Sequence, residues 1–173
     1  MATTYTLISS VTAGSGGAAS LGFTSIPATY TDLVVLLSVR STQSAADAQL
    51  RININGTGVG TNFKSRGLQA DGGSSVGAFS QTAGWIAGGF NANTSTANTF
   101  TSLQLYFPNY TGSTNKSYSV ESAMEQNSGA GTYAELAAIL YSNTSAISSL
   151  SFTTPSNNLA QYSTAYLYGI SNA

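Results

Sequence analysis

The residues best suited to acid–base chemistry in this sequence are its six carboxylates. They are Asp32, Asp47, Asp71, Glu121, Glu125 and Glu135. A glycoside hydrolase needs two carboxylates about 5 to 9.5 Å apart in one cleft. Glu121 and Glu125 are four residues apart, which in an extended strand puts them on one face but about 13 Å from each other. We therefore interpret the acids as solvated charges of strands and turns, and we predict that the protein is not an enzyme.

Other catalytic and metal-binding patterns are missing as well. The sequence contains neither cysteine nor histidine, which excludes thiol nucleophiles, serine–histidine dyads and structural zinc sites. The glycine-rich stretch AGSGG at 13–17 lacks the GK[ST] of a phosphate-binding loop, and a turn explains it better. Asp71 lacks the D-x-[DN]-x-[DN] spacing of a calcium loop. We predict no cofactor and no metal site.

Four aromatic residues offer a different chemistry, the stacking of sugar rings. Trp85, Tyr106, Tyr110 and Tyr133 occur in a chain rich in asparagine, whose amides could hydrogen-bond sugar hydroxyls. The same residue types are also typical of core edges and subunit interfaces. We favour the core or interface interpretation for Trp85, and glycan binding stays open as the alternative.

The charge of the chain is low and nearly balanced, with five cations, six acids and a net charge of -1. Charged residues make up 6% of the chain, against about 25% in an average soluble domain. The basic surface that binds phosphate backbones is missing, so we expect no nucleic acid partner. No apolar run approaches the ~20 residues that span a membrane, so we expect no membrane partner either.

Short runs of β-branched and aromatic residues alternate with clusters of Gly, Ser, Asn and Thr about every ten residues, which is typical of an all-β sandwich or barrel. The 173 residues fit one domain, 1–173. The pattern predicts strands at 5–11, 19–24, 31–41, 49–55, 62–70, 100–107, 116–124, 133–141, 147–154 and 165–170.

Three segments need individual interpretation. The strand at 31–41 is apolar on both faces, which predicts a central strand covered on both sides, with Asp32 and Arg40 at its two ends. The segment 71–99 is rich in Gly, Ser, Asn and Thr, and two interpretations stay open: one long loop, or one or two short strands within an excursion. Residues 1–20 form either an edge strand or an N-terminal arm.

Three stretches of the chain carry a resemblance to a known family: SIPATYTDLVVLLSVRS at 25–41, ANTFTSLQLYFPNYTGSTNKSYSVES at 97–122 and YSTAYLYGI at 162–170. They resemble small virion proteins of tailed bacteriophages, cyanophages among them. Members look like β-sandwich or jelly-roll proteins displayed on the virion, either as capsid decoration (cement) proteins or as tail-fibre components. The resemblance implies no catalytic residue, and it implies a multi-copy role as a homotrimer on the capsid lattice.

Resemblance and composition together lead to one expectation. We expect an antiparallel, jelly-roll-like β-sandwich of about 8–10 strands that acts as a capsid decoration protein on the virion surface and contacts the major capsid protein. Trp85, Phe90 and Tyr110 are its expected interface residues, because buried aromatic side chains dominate interface energies. The alternative is a tail-fibre or host-recognition module that binds cell-surface glycan.

Overall fold

The computed structural model describes residues 4–58, 60, 62–73, 76–82, 85–127 and 133–171, and these residues form twelve β-strands. The strands are β1 (Tyr5–Thr12), β2 (Ser20–Phe23), β3 (Asp32–Val39), β4 (Asp47–Ile54), β5 (Phe63–Ala70), β6 (Val76–Gln81), β7 (Trp85–Asn91), β8 (Thr101–Phe107), β9 (Lys116–Met124), β10 (Tyr133–Tyr141), β11 (Leu150–Thr153) and β12 (Thr164–Ile170). A search of the described part of the chain finds no helix long and apolar enough to cross a membrane.

The strands pair into two antiparallel sheets. The large sheet has the order β1-β12-β3-β8-β9-β10-β5-β6, and the small sheet has the order β2-β11-β4-β7. From β1 to β5 the chain crosses from one sheet to the other with every strand, as in a jelly roll, because each strand has one apolar side that must be buried against the opposite layer. The all-β antiparallel sandwich predicted from the sequence is confirmed.

Alternation along each strand builds the core between the two sheets. In β4, Leu50, Ile52 and Ile54 are buried, whereas the intervening Arg51 and Asn53 point outward. The inward residues of both sheets form one continuous hydrophobic cluster. Each fully buried Leu, Ile or Phe side chain contributes about 1.5 to 3 kcal/mol to this cluster, which therefore holds the two layers together without disulfides.

The central strand β3 lies between β12 and β8, as its apolar pattern predicts. Its inner residues, among them Val35 and Leu37, are buried, but on the other face Leu36 is 37% exposed. The expectation that β3 is covered on both sides is therefore wrong for the described chain. The physical reason is that the large sheet carries a packed layer on one face only, and Val34 on the open face is shielded by its cross-strand neighbours Tyr106 and Tyr168.

The segment 71–99 contains two strands, so the second of the two interpretations applies. β6 pairs with β5 at one edge of the large sheet, and β7 pairs with β4 at one edge of the small sheet. These two strands raise the number to twelve, above the eight to ten expected. At the other edge of the large sheet, β1 pairs with β12, and the register of this pairing shifts between Leu7 and Ser9. The described part of the first twenty residues therefore includes an edge strand.

Candidate functional site: the outer face of the large sheet

The aromatic residues expected at an interface do not share a surface. Phe90 on β7 and Tyr110 after β8 are both 0% exposed and belong to the core. The Tyr110 hydroxyl donates a hydrogen bond to the Pro27 carbonyl oxygen. These two side chains are not available to a partner, because their apolar rings fill the space between the sheets. The side chain of Trp85 lies outside the described part of the structure.

The aromatic residues considered for sugar stacking are also separated. Tyr106 lies on the open face of the large sheet, where its hydroxyl donates to the Asp32 carboxylate at 2.8 Å. This hydrogen bond raises the pKa of Tyr106. Tyr133 lies on the inner side of the same sheet, against the backbone of Gly89: a Cβ placed on Gly89 would be 2.4 Å from the Tyr133 ring. No glycan platform is formed by the described members of this set.

The two charges at the ends of β3 fasten loops. Asp32 accepts a hydrogen bond from the Asn109 amide at 2.7 Å and so holds the turn that follows β8. The buried Arg40 guanidinium donates to the carbonyl oxygens of Thr96 at 2.8 Å and Thr99 at 2.9 Å, and also to those of Asn93 and Ser95. Burial lowers the pKa of Arg40. Both residues therefore have a structural role, because their hydrogen bonds hold neighbouring loops in place.

Lys116 at the start of β9 has a similar role. Its buried Nζ donates to the carbonyl oxygens of Gly112 and Thr114, both at 2.6 Å, and to that of Thr144 at 3.4 Å. Burial lowers the pKa of Lys116. Because its donors are engaged by backbone oxygens, this lysine joins two loops at one end of the large sheet.

The carboxylates considered for catalysis are dispersed over the fold. Glu125 accepts hydrogen bonds from the backbone amides of Gln126 and Asn127, and Asp71 accepts one from the amide of Gly73. Each of these two acids therefore stabilises its own turn. Within the described ranges, no group of three or more Asp, Glu, His or Cys side chains is arranged to hold a metal ion.

Exposed apolar side chains concentrate on one surface, the open side of the large sheet, which we term the outer face. The described chain exposes nine large apolar side chains, and the strand registers put eight of them on this face. The eight are Tyr5, Leu7, Leu36, Leu68, Val76, Leu136, Leu140 and Tyr166. Exposed apolar side chains gathered on one surface typically mark a protein or ligand contact, so the outer face is the candidate functional site.

The outer face divides into two apolar clusters and a polar band. The β3 cluster comprises Tyr5, Leu7, Leu36 and Tyr166, on strands β1, β12 and β3. The β10 cluster comprises Leu68, Val76, Leu136 and Leu140, on strands β10, β5 and β6. Between them, β8 and β9 present the polar band of Ser102, Gln104, Ser117, Ser119 and Glu121. A groove of about 590 Å³ runs along the β10 cluster to Gln104 and Glu121.

Charges flank the two clusters with opposite sign. Lys64 and Arg66 lie on β5 beside the β10 cluster, where the Arg66 Nη1 donates to the Ser80 hydroxyl at 2.7 Å. Asp32 lies at the start of β3 beside the β3 cluster. The outer face therefore has a cationic side and an acidic side, separated by the polar band.

On the opposite surface of the sandwich, the outer side of the small sheet, the described outward side chains of β4 and β11 are polar. Gln49, Arg51 and Asn53 of β4 point outward there, next to Ser151 and Thr153 of β11. The Asn53 amide donates to the Ser151 hydroxyl at 3.2 Å. The two broad surfaces thus differ sharply in polarity, and only the outer face of the large sheet has the character of an interface among the surfaces described.

The sequence carried one signal for this site. In β10, Leu136 and Leu140 alternate with Ile139 and other inward residues, so the strand is apolar on both sides. Such a strand needs a partner on each face, and the structure supplies one only on the inner side. Comparison with protein-family models, with curated proteins and with solved structures finds no match to this chain, so its own residues carry the functional argument.

Proposed function

We propose that this chain is a non-enzymatic structural protein of a bacteriophage particle, a capsid decoration protein present in many copies on the virion surface. The observation that carries the proposal is the outer face: a broad, eight-stranded surface on which nearly all exposed large apolar side chains of the described chain are gathered. A surface of this size and polarity suits association between proteins.

The mechanism needs no bond-making step. A protein that binds the assembled shell and not the dissociated subunits stabilises the shell by mass action. The favourable term is the removal of apolar surface from water, about 25 cal/mol per Å². With 6% charged residues, the contacts are broad and neutral, and we expect binding that changes little with salt concentration.

The sequence resemblance to phage virion proteins supports the proposal through its position in the fold. The three resembling stretches are far apart in the chain, at 25–41, 97–122 and 162–170. They contain β3, β8, most of β9 and all of β12, which are four adjacent strands of the large sheet. The likeness covers nearly the whole chain in order, and the stretches that carry it include the β3 side of the outer face and the polar band.

The test is a count of copies in purified particles of the virus that encodes the chain. Quantitative mass spectrometry should give a copy number comparable with that of the major capsid protein, and particles stripped of the chain should release their genome at a lower temperature. Particles in which the chain is present in only a handful of copies, or whose stability does not change when it is removed, would contradict the decoration role.

A further inference from the structure

We infer that a second copy of this chain covers the outer face, in a two-fold symmetric pair whose axis runs parallel to the strands along the boundary between β8 and β9. The inference deepens the proposed function and rests on it, because it names what covers this face in a multi-copy particle protein, and it departs from the homotrimer that the resemblance implies. A two-fold contact is self-complementary: each residue of one copy meets its counterpart on the other, and the reverse contact follows by symmetry.

The apolar clusters fit this symmetry. Four strands lie on each side of the β8/β9 boundary, and β3 and β10 are equally distant from it. Leu36 lies in one cross-strand row with Gln104, Glu121 and Leu136. A half-turn about the boundary reverses the strand order and keeps the row, so Leu36 of one copy faces Leu136 of the other. Leu36 of the β3 cluster is thus buried on Leu136 of the partner's β10 cluster, whereas Leu140 of the β10 cluster falls beside Asp32 of the other copy.

The next strands outward continue the match. Tyr166 is the cross-strand neighbour of Leu36, and Leu68 is that of Leu136, so the half-turn places Tyr166 on Leu68. Twisted sheets stack at about −30°, which makes the match closest near the axis and looser toward the edge strands β1 and β6. The contacts nearest the axis therefore define the register of the pair.

The polar band is self-complementary as well. Gln104 on β8 and Glu121 on β9 are direct cross-strand neighbours at the axis. The half-turn places the Gln104 amide of each copy over the Glu121 carboxylate of the other, where the amide can donate a hydrogen bond to the carboxylate. Both polar groups thus gain partners when the pair excludes water, which lowers the desolvation penalty of this band.

The charges complete the fit. Arg66 lies in one row with Ser119, Tyr106 and Val34, a row that continues to Tyr168 on β12. The half-turn therefore brings the Arg66 guanidinium onto the Tyr168 ring, a favourable cation–π arrangement.

Lys64 and Asp32 each lie two residues before the Arg66–Val34 row. The half-turn puts Lys64 of each copy one strand away from Asp32 of the other. Opposite charges therefore approach at two places, and the two Glu121 carboxylates come to lie one strand apart at the axis, each facing a Gln104 amide.

The area is sufficient for a stable pair. Eight strands of about seven residues cover a face of about 38 Å by about 23 Å, given ~4.8 Å between strands and ~3.3 Å per residue. This corresponds to about 900 Å² on each copy, which is in the range of standard protein interfaces, about 800 Å² per partner. A second copy therefore suffices to cover the central strands of the face, where the match is closest, and leaves the edge strands β1 and β6 less completely covered.

The first test measures the mass of the purified chain in solution by light scattering coupled to gel filtration. We expect twice the mass of the single chain at micromolar concentration. Leu36→Asp should return the chain to the monomer, because it would bury an unpaired carboxylate in the pair. Gln49→Asp, which adds the same charge to the polar surface of the small sheet, is the matched control and should stay paired. A monomeric or trimeric wild-type chain would overturn the inference.

The second test fixes the register by cross-linking. The chain has no cysteine, so Leu36→Cys and Leu136→Cys each introduce a single thiol at an exposed position. Facing sheets lie about 10 Å apart, too far for a disulfide, so a short bismaleimide is the reagent. An equal mixture of the two variants should give a cross-linked dimer. Each variant alone should give little, since the two copies of residue 36 are also displaced by about 14 Å across the strands.

Cross-linking that is as strong in Leu36→Cys alone as in the mixture would overturn the β8/β9 axis. The outcomes also separate this inference from the proposed function. If the chain pairs as described but is absent from particles, the inferred pair is correct and the proposed decoration role is wrong. If the chain is abundant on particles but monomeric in solution, the decoration role is supported and the inferred pair is wrong.

Discussion

At the scale of single residues, the buried charged groups act as fasteners of loops. Arg40 and Lys116 donate to backbone carbonyl oxygens that no strand partner satisfies. A hydrogen bond from a charged group contributes about 1.5 to 3 kcal/mol, more than a neutral one. Two of the chain's five cations are therefore buried. Their hydrogen bonds hold the loops in place.

Arg40→Met should lower the free energy of unfolding by about 3 kcal/mol, because it leaves buried carbonyl oxygens in the 93–99 loop without their donor. Gln49→Met is the control, since the Gln49 side chain is exposed on the small sheet, outside the proposed pair, and it should change stability by less than about 0.5 kcal/mol. Urea denaturation measures both. Equal losses for the two variants would show that Arg40 does not hold the loop in place.

Tyr118 is the opposite case, a buried polar group with an unmet requirement. It packs against Phe107 with ring centroids 4.6 Å apart, and its hydroxyl is buried without a hydrogen-bond partner among the described residues. Tyr118→Phe keeps the ring contact and removes the desolvated hydroxyl, so we expect stability at pH 7 to rise by about 1 kcal/mol. A loss of stability in urea denaturation would point to a partner for the hydroxyl.

The same residue gives the protein a pH dependence. Burial raises the pKa of Tyr118 above its ordinary value of 10.0. Above that pH the unfolded chain releases the proton and the native chain retains it, so the native state binds more protons and stability falls as pH rises. Stability measured from pH 8 to pH 11 should therefore decline more steeply in the wild type than in Tyr118→Phe. Parallel declines would mean that other groups dominate.

At the scale of elements, β6 is attached to the sandwich through a glycine. Gly67 on β5 lies opposite Phe79 on β6, and a Cβ on Gly67 would come within 2.5 Å of the Phe79 ring and 2.7 Å of the Leu136 carbonyl oxygen. The Phe79 ring thus lies directly on the glycine backbone and packs against the core. This contact anchors the edge strand of the large sheet.

Gly67→Ala should displace Phe79 and loosen β6, while leaving the remaining strands paired. We expect faster hydrogen exchange in the Val76–Gln81 amides with a smaller change in β3 and β8. Gly77→Ala on β6 is the control, because its added Cβ would meet only the Gln69 carbonyl oxygen, at 3.8 Å. Unchanged exchange of β6 in Gly67→Ala would show that Phe79 is not its anchor.

All ten predicted strands are present in the structure. For β6 and β7, the sequence allows either strands or one long loop. In β4 and β9, apolar and polar residues alternate, and alternation is a local property that a sequence displays. In β6 the sequence VGAFSQ has little alternation of apolar and polar residues. Its pairing with β5 depends instead on the contact between Phe79 and Gly67. Contacts of this kind are set by a neighbouring strand and are not visible in the segment itself.

At the scale of the whole molecule, the asymmetry of the sandwich decides its behaviour. The described outward side chains of β4 and β11 are polar, whereas the outer face has two apolar clusters around a polar band, so we expect association to use the outer face. A pair that forms only between folded chains stabilises the folded state. The melting temperature of the protein should therefore rise with protein concentration.

We expect a rise in melting temperature across a hundredfold range of concentration for the wild-type chain, measured by differential scanning calorimetry. Leu36→Asp should melt at a temperature that does not depend on concentration, and Gln49→Asp should behave as the wild type. A wild-type melting temperature that is constant over this range would contradict association through folded surfaces.

The sequence by itself determined the class of fold, the low charge and the inward and outward sides of most strands, because period-two alternation and composition are written in local residues. Only the tertiary structure decided that Phe90 and Tyr110 are core residues and that Leu36 and Leu136 share a row. Those facts depend on which strands become neighbours, and that pairing is settled by contacts between residues a hundred positions apart. The outer face is a product of strand order, which no single segment specifies.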